Sequence, residues 1–317
     1  MGSSACQSII RCIWDARKPS TIKNYCYALR KWFGFQTLCA QELILPIDAI
    51  SACKYLAYLR ESGATIGAIK VAYNAMKWAH NFVPGITIYN DPLDQKMVKR
   101  MFESAQREIR PTRNQKAPLT KEIVENIFNA LTASSTLTQV RDSLIIALAF
   151  TLLLRHDEVS HLSCAHFSKV KTSLKVTIPA SKTDPLRNGK CTWLAQGRTQ
   201  NLLKRYLSMS GLSLGQNHFL FGPLTFDSGV WKVRNEILSY NSYRRILNAQ
   251  LVKQNLDPSL FGFHSCRSGG ATELASTSTP LELMSAGRWK DQRSLAHYVE
   301  IPLERRLQMF NNLDSTE

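Results

Sequence analysis

Between Leu144 and Leu154 the chain reads LIIALAFTLLL, apolar on every face of a helix except at Thr151. A helix without a polar face is buried on all sides, so this segment predicts the centre of a packed domain. It is too short to cross a bilayer, which needs about 20 apolar residues, and it runs straight into Arg155. A cation at the end of a buried helix needs a partner, and Glu158 lies three residues on, one helical turn away. The pair has an ordinary reading as an ion pair at a helix end. It also has a chemical one, because the planar fork of an arginine can hold two oxygens of a phosphate at once.

The chain has 317 residues, enough for two compact domains, since single cores stop growing near about 250 to 300 residues. The stretch from Ile109 to Pro118, IRPTRNQKAP, carries two prolines, three basic residues and no apolar period, and reads as a linker. We therefore expect domains at 1–113 and 114–317. In the first, Ser20 and Thr21 offer a cap for a helix through Ile22, Tyr25, Leu29, Trp32 and Phe33. A second helix runs through Ile47, Tyr55 and Leu59 and stops at Gly63, a third spans Thr65 to Ala79, and Asp91-Pro92 open a fourth. In the second domain Thr120 begins a helix and Thr136 to Leu162 holds the buried one. Lys175 to Ala180 and the segment CTWLA read as short strands joined by a turn bearing Asn188 and Gly189. The remainder reads as helical, with segments at Thr199–Met209, Ser242–Gln254, Arg267–Ala275, Pro280–Ala286 and Arg293–Val299. The fold class expected is mainly α with a small β-sheet, the second domain being α+β.

Forty Lys and Arg against twenty-four Asp and Glu give a formal charge of +16. That field favours a polyanion, and the basic residues recur along the whole chain instead of forming one tail. Lys96, Lys99, Arg100, Arg107 and Arg110 line the fourth helix, and Arg113 and Lys116 continue into the linker. These seven are the candidate contacts to a nucleic-acid backbone. The eight cysteines include no Cys-x-x-Cys pair and no paired histidine spacing, which argues against a zinc site, so no metal is expected. With no signal peptide opening the chain, reduced thiols and a nuclear or cytosolic, non-secreted location are expected, with no membrane partner.

From His264 to Tyr298 the sequence gathers groups suited to a phosphodiester. His264 and Arg267 are spaced for the first turn of the helix that Arg267 is expected to begin, where outward-pointing amides also favour an anion. Gly269 and Gly270 follow, poor helix formers that suggest a neighbour approaching the backbone closely. Trp289 can pack in the core or donate its indole N–H to a phosphate oxygen, and Tyr298, nine residues later, can pack or attack. Lys182, in the turn SKTD, is either a solvated charge or a proton donor to a leaving 5′ oxygen.

In order, Arg155, Lys182, His264, Arg267, Trp289 and Tyr298, with Glu158 supporting, resemble the active-site set of the tyrosine recombinases, the phage-integrase family. Trp in the fifth position resembles the Cre-like members, and GRWKDQRSLAHYV is similar to recombinases of eukaryotic DIRS and Crypton mobile elements. The resemblance implies a two-domain C-shaped clamp on double-stranded DNA, a helical core-binding domain followed by a catalytic one. It implies attack by Tyr298 to give a 3′-phosphotyrosine, with Arg155, Arg267, His264 and Trp289 stabilising the phosphorane and Lys182 as general acid. It also implies a homotetramer on two DNA sites, a dimer on each, exchanging strands through a Holliday junction without any cofactor. The tail from Glu304 to Phe310 is expected to dock on a neighbouring protomer or to pack in cis. Two further readings stay open: a DNA-binding protein that keeps the clamp without catalysis, and a type IB topoisomerase.

Overall fold

A computed structural model describes residues 14, 16–39, 45–87, 89–109, 116–178, 189–300 and 307. The chain divides into two compact units, Met1–Asn114 and Gln115–Glu317. The first is helical: α1 (Pro19–Leu38), α2 (Ala49–Glu61), α3 (Ile66–His80) and, after a 3-10 turn at Pro92–Asp94, α4 (Lys96–Glu108). Trp32, Phe35, Tyr55, Leu56, Ile69, Met76, Leu93 and Val98 fill its core. Pro19 occupies the first turn of α1, where its missing N–H costs nothing, and Lys18 is the N-cap. Ser20 and Thr21 therefore lie inside the helix, one turn-start later than their capping chemistry suggests. Asp48 and Thr65 cap α2 and α3 through their side chains. The buried His80 accepts from the Ile47 N–H through Nε2 (2.9 Å) and faces Asp91 through Nδ1 (2.9 Å), which fixes the neutral tautomer and ties the end of α3 to both flanking loops.

The second unit is built around α6 (Leu137–Thr151), whose Leu144, Ile145, Ile146, Ala147, Leu148 and Ala149 are all buried. The helices α5 (Lys121–Asn129), α7 (His156–Ser160), α8 (Arg198–Ser210), α9 (Tyr240–Val252) and α10 (His264–Leu274) pack against it. An antiparallel sheet in the order β1 (Phe167–Val170), β2 (Ser173–Ile178), β3 (Lys190–Leu194) turns Leu174, Val176, Ile178 and Leu194 into the same core. Then α11 (Pro280–Gly287) and α12 (Gln292–Ala296) complete the described chain. No described helix is long and apolar enough to cross a membrane.

Three segments depart from the helical expectation. Residues 224–233 form a hairpin, β4 (Leu224–Asp227) and β5 (Val230–Val233), not helix. Its signal was the Asp227-Ser228-Gly229 turn, in which Ser228 and Gly229 take the positive φ that tight hairpins require. The helix expected to start at Arg267 begins three residues earlier, at His264. The last helix ends at Ala296, so Tyr298 sits in the turn after it. Arg110, Arg113 and Lys182 lie outside the described residues, as does the expected tail apart from an exposed Leu307.

Candidate active site

The apolar run promised a helix through Leu154, but α6 stops at Thr151. The Leu152 N–H bonds to Leu148 O and the Leu154 N–H to Ala149 O, with Leu153 at φ 51° between them. This is a Schellman end with leucine at the left-handed position where glycine is usual. A non-glycine residue there costs about 1–2 kcal/mol, and the site offsets it with side-chain bonds to the Leu153 carbonyl. The chain then turns so that Arg155 becomes the N-cap of α7, its own N–H donating to Glu158 Oε2 (2.9 Å).

Glu158 is fully buried and is the hub. Arg155 Nη1 donates to its Oε1 at 2.8 Å, Arg288 Nη2 to its Oε2 at 2.9 Å, and Arg267 Nη1 stands 3.7 Å from Oε2. Burial alone would raise this carboxyl's pKa. The charge of Arg288, the Arg155 N–H and the charges of Arg267 and Arg155 outweigh it and hold the pKa below the usual carboxylate range. Three guanidiniums thus share one carboxylate, and the cluster carries two positive charges in excess.

Arg267 has no exposed surface. Its Nη1 donates to Leu153 O and its Nη2 to Gly287 O at 2.5 Å. Its guanidinium lies 4.5 Å from the Trp289 ring centre and 5.1 Å from that of Tyr298. Burial and then the charge of Arg155 lower its pKa, yet a guanidinium stays protonated at neutral pH. The Tyr298 ring also touches His264 (5.0 Å between centres) and Trp289 (5.1 Å). His264 is exposed as a residue, but desolvation of its ring and the charges of Arg267 and Arg155 depress its pKa, so it is mainly neutral at pH 7. Three buried donors here, Arg267 Nε, Arg288 Nε and Trp289 Nε1, have no hydrogen-bond partner among the described residues. An anion with several acceptor oxygens fits both the excess charge and these donors.

The structure therefore brings Arg155, Glu158, His264, Arg267, Trp289 and Tyr298 together; Lys182 is not described. It adds Arg288, which the sequence reading passed over inside GRW. The signal available was a charged residue directly after the Gly287 that ends α11, but nothing local says that its side chain turns inward. Lys96, Lys99, Arg100 and Arg107 are exposed on α4. Lys116 is exposed too, with its ammonium on Ser259 O.

Three glycines let neighbouring groups approach the backbone closely enough to build this cluster. A Cβ on Gly269 would strike Leu119 O, one on Gly270 would strike Phe150 O and the Leu153 side chain, and one on Gly287 would enter the Trp289 ring. Gly270→Ala is expected to destabilise the fold by about 1–3 kcal/mol through overpacking of α10 on α6. Thermal melts read this as a drop of about 2–4 °C per kcal/mol; an unchanged Tm would show that α10 can shift freely.

No family model matches the chain. Over 295 residues it is 23% identical to an integrase/recombinase XerD homologue of Selenomonas ruminantium, covering 90% of this chain and 82% of that protein. Among solved structures it resembles the XerH site-specific recombinase bound to palindromic difH substrate in a post-cleavage complex (TM-score 0.64, 15% identity, 93% of this chain and 80% of that one). It also resembles the Tn1549 transposon integrase with transposon right-end DNA (TM-score 0.63, 14% identity, 98% and 99%). A lambda integrase dimer bound to a COC′ core site gives a TM-score of 0.61 at 13% identity, with 95% of both chains covered. The fold is that of the tyrosine recombinases.

Proposed function

We propose that this chain is a site-specific DNA recombinase that cuts and rejoins strands through Tyr298. The observation that carries the proposal is the Tyr298 ring lying over the buried Arg267 guanidinium, beside buried donors unpaired among the described residues and a surplus of positive charge. A scissile phosphate bound there meets a nucleophile from the same chain, so cleavage is in cis.

The Tyr298 oxygen forms a bond to phosphorus while the bond to the 5′ oxygen breaks, leaving a 3′-phosphotyrosine and a free 5′ hydroxyl. His264, neutral and against the Tyr298 ring, accepts the phenolic proton. Arg155, Arg267 and the Trp289 N–H stabilise the charge that develops on the non-bridging oxygens. Lys182 protonates the leaving oxygen. Because the phosphotyrosine keeps the energy of the phosphodiester, attack by another 5′ hydroxyl reseals the strand with no outside energy source. Trp289 and the sequence around it support the finer placement among Cre-like recombinases and those of eukaryotic mobile elements.

DNA enters the proposal through the charge of +16 and through relatives solved with DNA bound. In this reading both units hold one duplex: the first through Lys96, Lys99, Arg100 and Arg107 on α4, continued by Arg110, Arg113 and Lys116, and the second through the active site. Two protomers bind each site, and four bring two duplexes together. Binding should be steeply salt-dependent. Six to ten neutralised phosphates imply an affinity loss of about 10³–10⁵ between about 50 and 200 mM salt, measured by titration on a duplex; a flat response would sink the backbone contacts. The reaction itself is tested by incubating the chain with nicked duplexes bearing candidate sites. A covalent protein–DNA adduct that maps to the peptide containing Tyr298 is the expected result, and an adduct on another residue overturns the nucleophile.

A further inference from the structure

Arg288 has a side chain with 1% exposure against 17% for Arg155, and its guanidinium bonds go to protein acceptors. It also occupies an expensive place. The Arg288 N–H bonds to Ser285 O and the Trp289 N–H to Met284 O (2.9 Å), so α11 ends in a Schellman turn with Arg288 at φ 60°, a position that glycine fills without strain. In return the guanidinium reaches across to the end of α6. Its Nη1 donates to Leu152 O and Ala286 O (3.2 Å each), and its Nη2 to Leu153 O and Glu158 Oε2 (2.9 Å each).

Two strained left-handed residues, Leu153 and Arg288, are thereby joined side chain to carbonyl, and the same Leu153 O accepts from Arg267. Glu158 Oε2 is the atom in dispute. Arg288 holds it at 2.9 Å, while Arg267 stands 3.7 Å away. With Arg288 gone, that buried oxygen keeps the Arg155 N–H, and the guanidinium standing next to it is Arg267, 3.7 Å away. Tightening this 3.7 Å ion pair to hydrogen-bond distance would draw the guanidinium toward Glu158 and spend more of its charge.

We propose that Arg288 is a positioning residue that keeps Glu158 off Arg267, so that the charge of Arg267 stays available to the substrate anion. It does this while fixing the segment that carries Trp289, the next residue in the chain. The inference deepens the strand-cleavage reading and rests on it.

The test compares a phosphodiester with a methylphosphonate at the scissile position. The second has lost one negative oxygen and depends less on guanidinium charge. Arg288→Met should form the covalent adduct about 10–100-fold more slowly than wild type on the phosphodiester, the scale of losing an outer-shell partner. On the methylphosphonate the loss should be several-fold smaller. A merely structural role predicts equal losses on both, and that result overturns the proposal. If Arg288→Met does not melt cooperatively, the same ratio is read on Arg288→Lys. Lysine can keep an ammonium near Glu158 but cannot span four acceptors, so the smaller loss on methylphosphonate is expected to persist. If the wild-type chain gives no adduct on any site duplex, the strand-cleavage reading itself fails, an outcome distinct from equal losses in a working enzyme.

Discussion

Arg267→Ala is expected to remove strand cleavage and to destabilise the second unit by about 3–5 kcal/mol, because one side chain serves both ends. On the structural side, its loss leaves Gly287 O a buried acceptor without this donor, at about 1–3 kcal/mol, while Leu153 O keeps its bond from Arg288. It also empties the space beneath Trp289 and Tyr298 that the guanidinium fills. Glu158 keeps Arg155 and Arg288, so no carboxylate is stranded. On the chemical side, losing a preorganised donor to a developing anion costs about 10²–10³ in rate, and the lost positive charge adds to that. Arg267→Lys separates the two. A lysine keeps the charge but cannot span both carbonyls as a planar fork does, so chemical denaturation should show part of the stability returning while single-turnover cleavage stays near the Ala level. Wild-type cleavage in Arg267→Lys would mean that only the charge matters and that the fork geometry does not.

Much of this site was legible because its parts lie on elements that sequence patterns specify. The apolar run in α6 had to be central, and so Arg155 just beyond it had to be held against the core. The glycines after Arg267 predicted close approach, and both helix backbones do touch there. What escaped was decided by tertiary contacts. Leu153 carries no glycine signal, so the true end of α6 could not be read; its left-handed turn is held by Arg267 and Arg288 from distant parts of the chain. Arg288 escaped for the converse reason, since a basic residue after a helix end ordinarily faces water. Tyr298 was placed on a helix by the apolar spacing of Leu295 and Val299. That helix ends at Ala296, and the turn after it is anchored by Thr272 Oγ1, which donates to Tyr298 O (3.4 Å) and accepts from the Glu300 N–H (3.1 Å). The spacing to Trp289 survived this change because both residues pack on the same Arg267.

Tyr298→Phe should leave folding and DNA binding as they are and abolish covalent capture. The substitution removes one oxygen, whereas the contacts that hold the residue belong to its ring, over Arg267 and against His264 and Trp289. Its backbone bond to Leu295 O is also untouched. Stability should therefore change by no more than about 0.5 kcal/mol, and the affinity for a site duplex should stay within a factor of about 2, given that backbone charge carries most of it. Covalent adduct on a nicked duplex should fall by at least about 10⁴-fold, since the remaining groups of a catalytic unit do little without its nucleophile. Undiminished capture by the Phe variant would sink the assignment of Tyr298. The comparison also separates the readings that share this fold. A binding protein without catalysis gives no adduct with either chain. A type IB topoisomerase gives an adduct and relaxes a supercoiled plasmid as a monomer, with no need of a second site. A recombinase gives an adduct and, with wild type alone, joined products that require two sites in the same reaction; plasmid relaxation that proceeds at full rate on a single site would move the assignment to the topoisomerase.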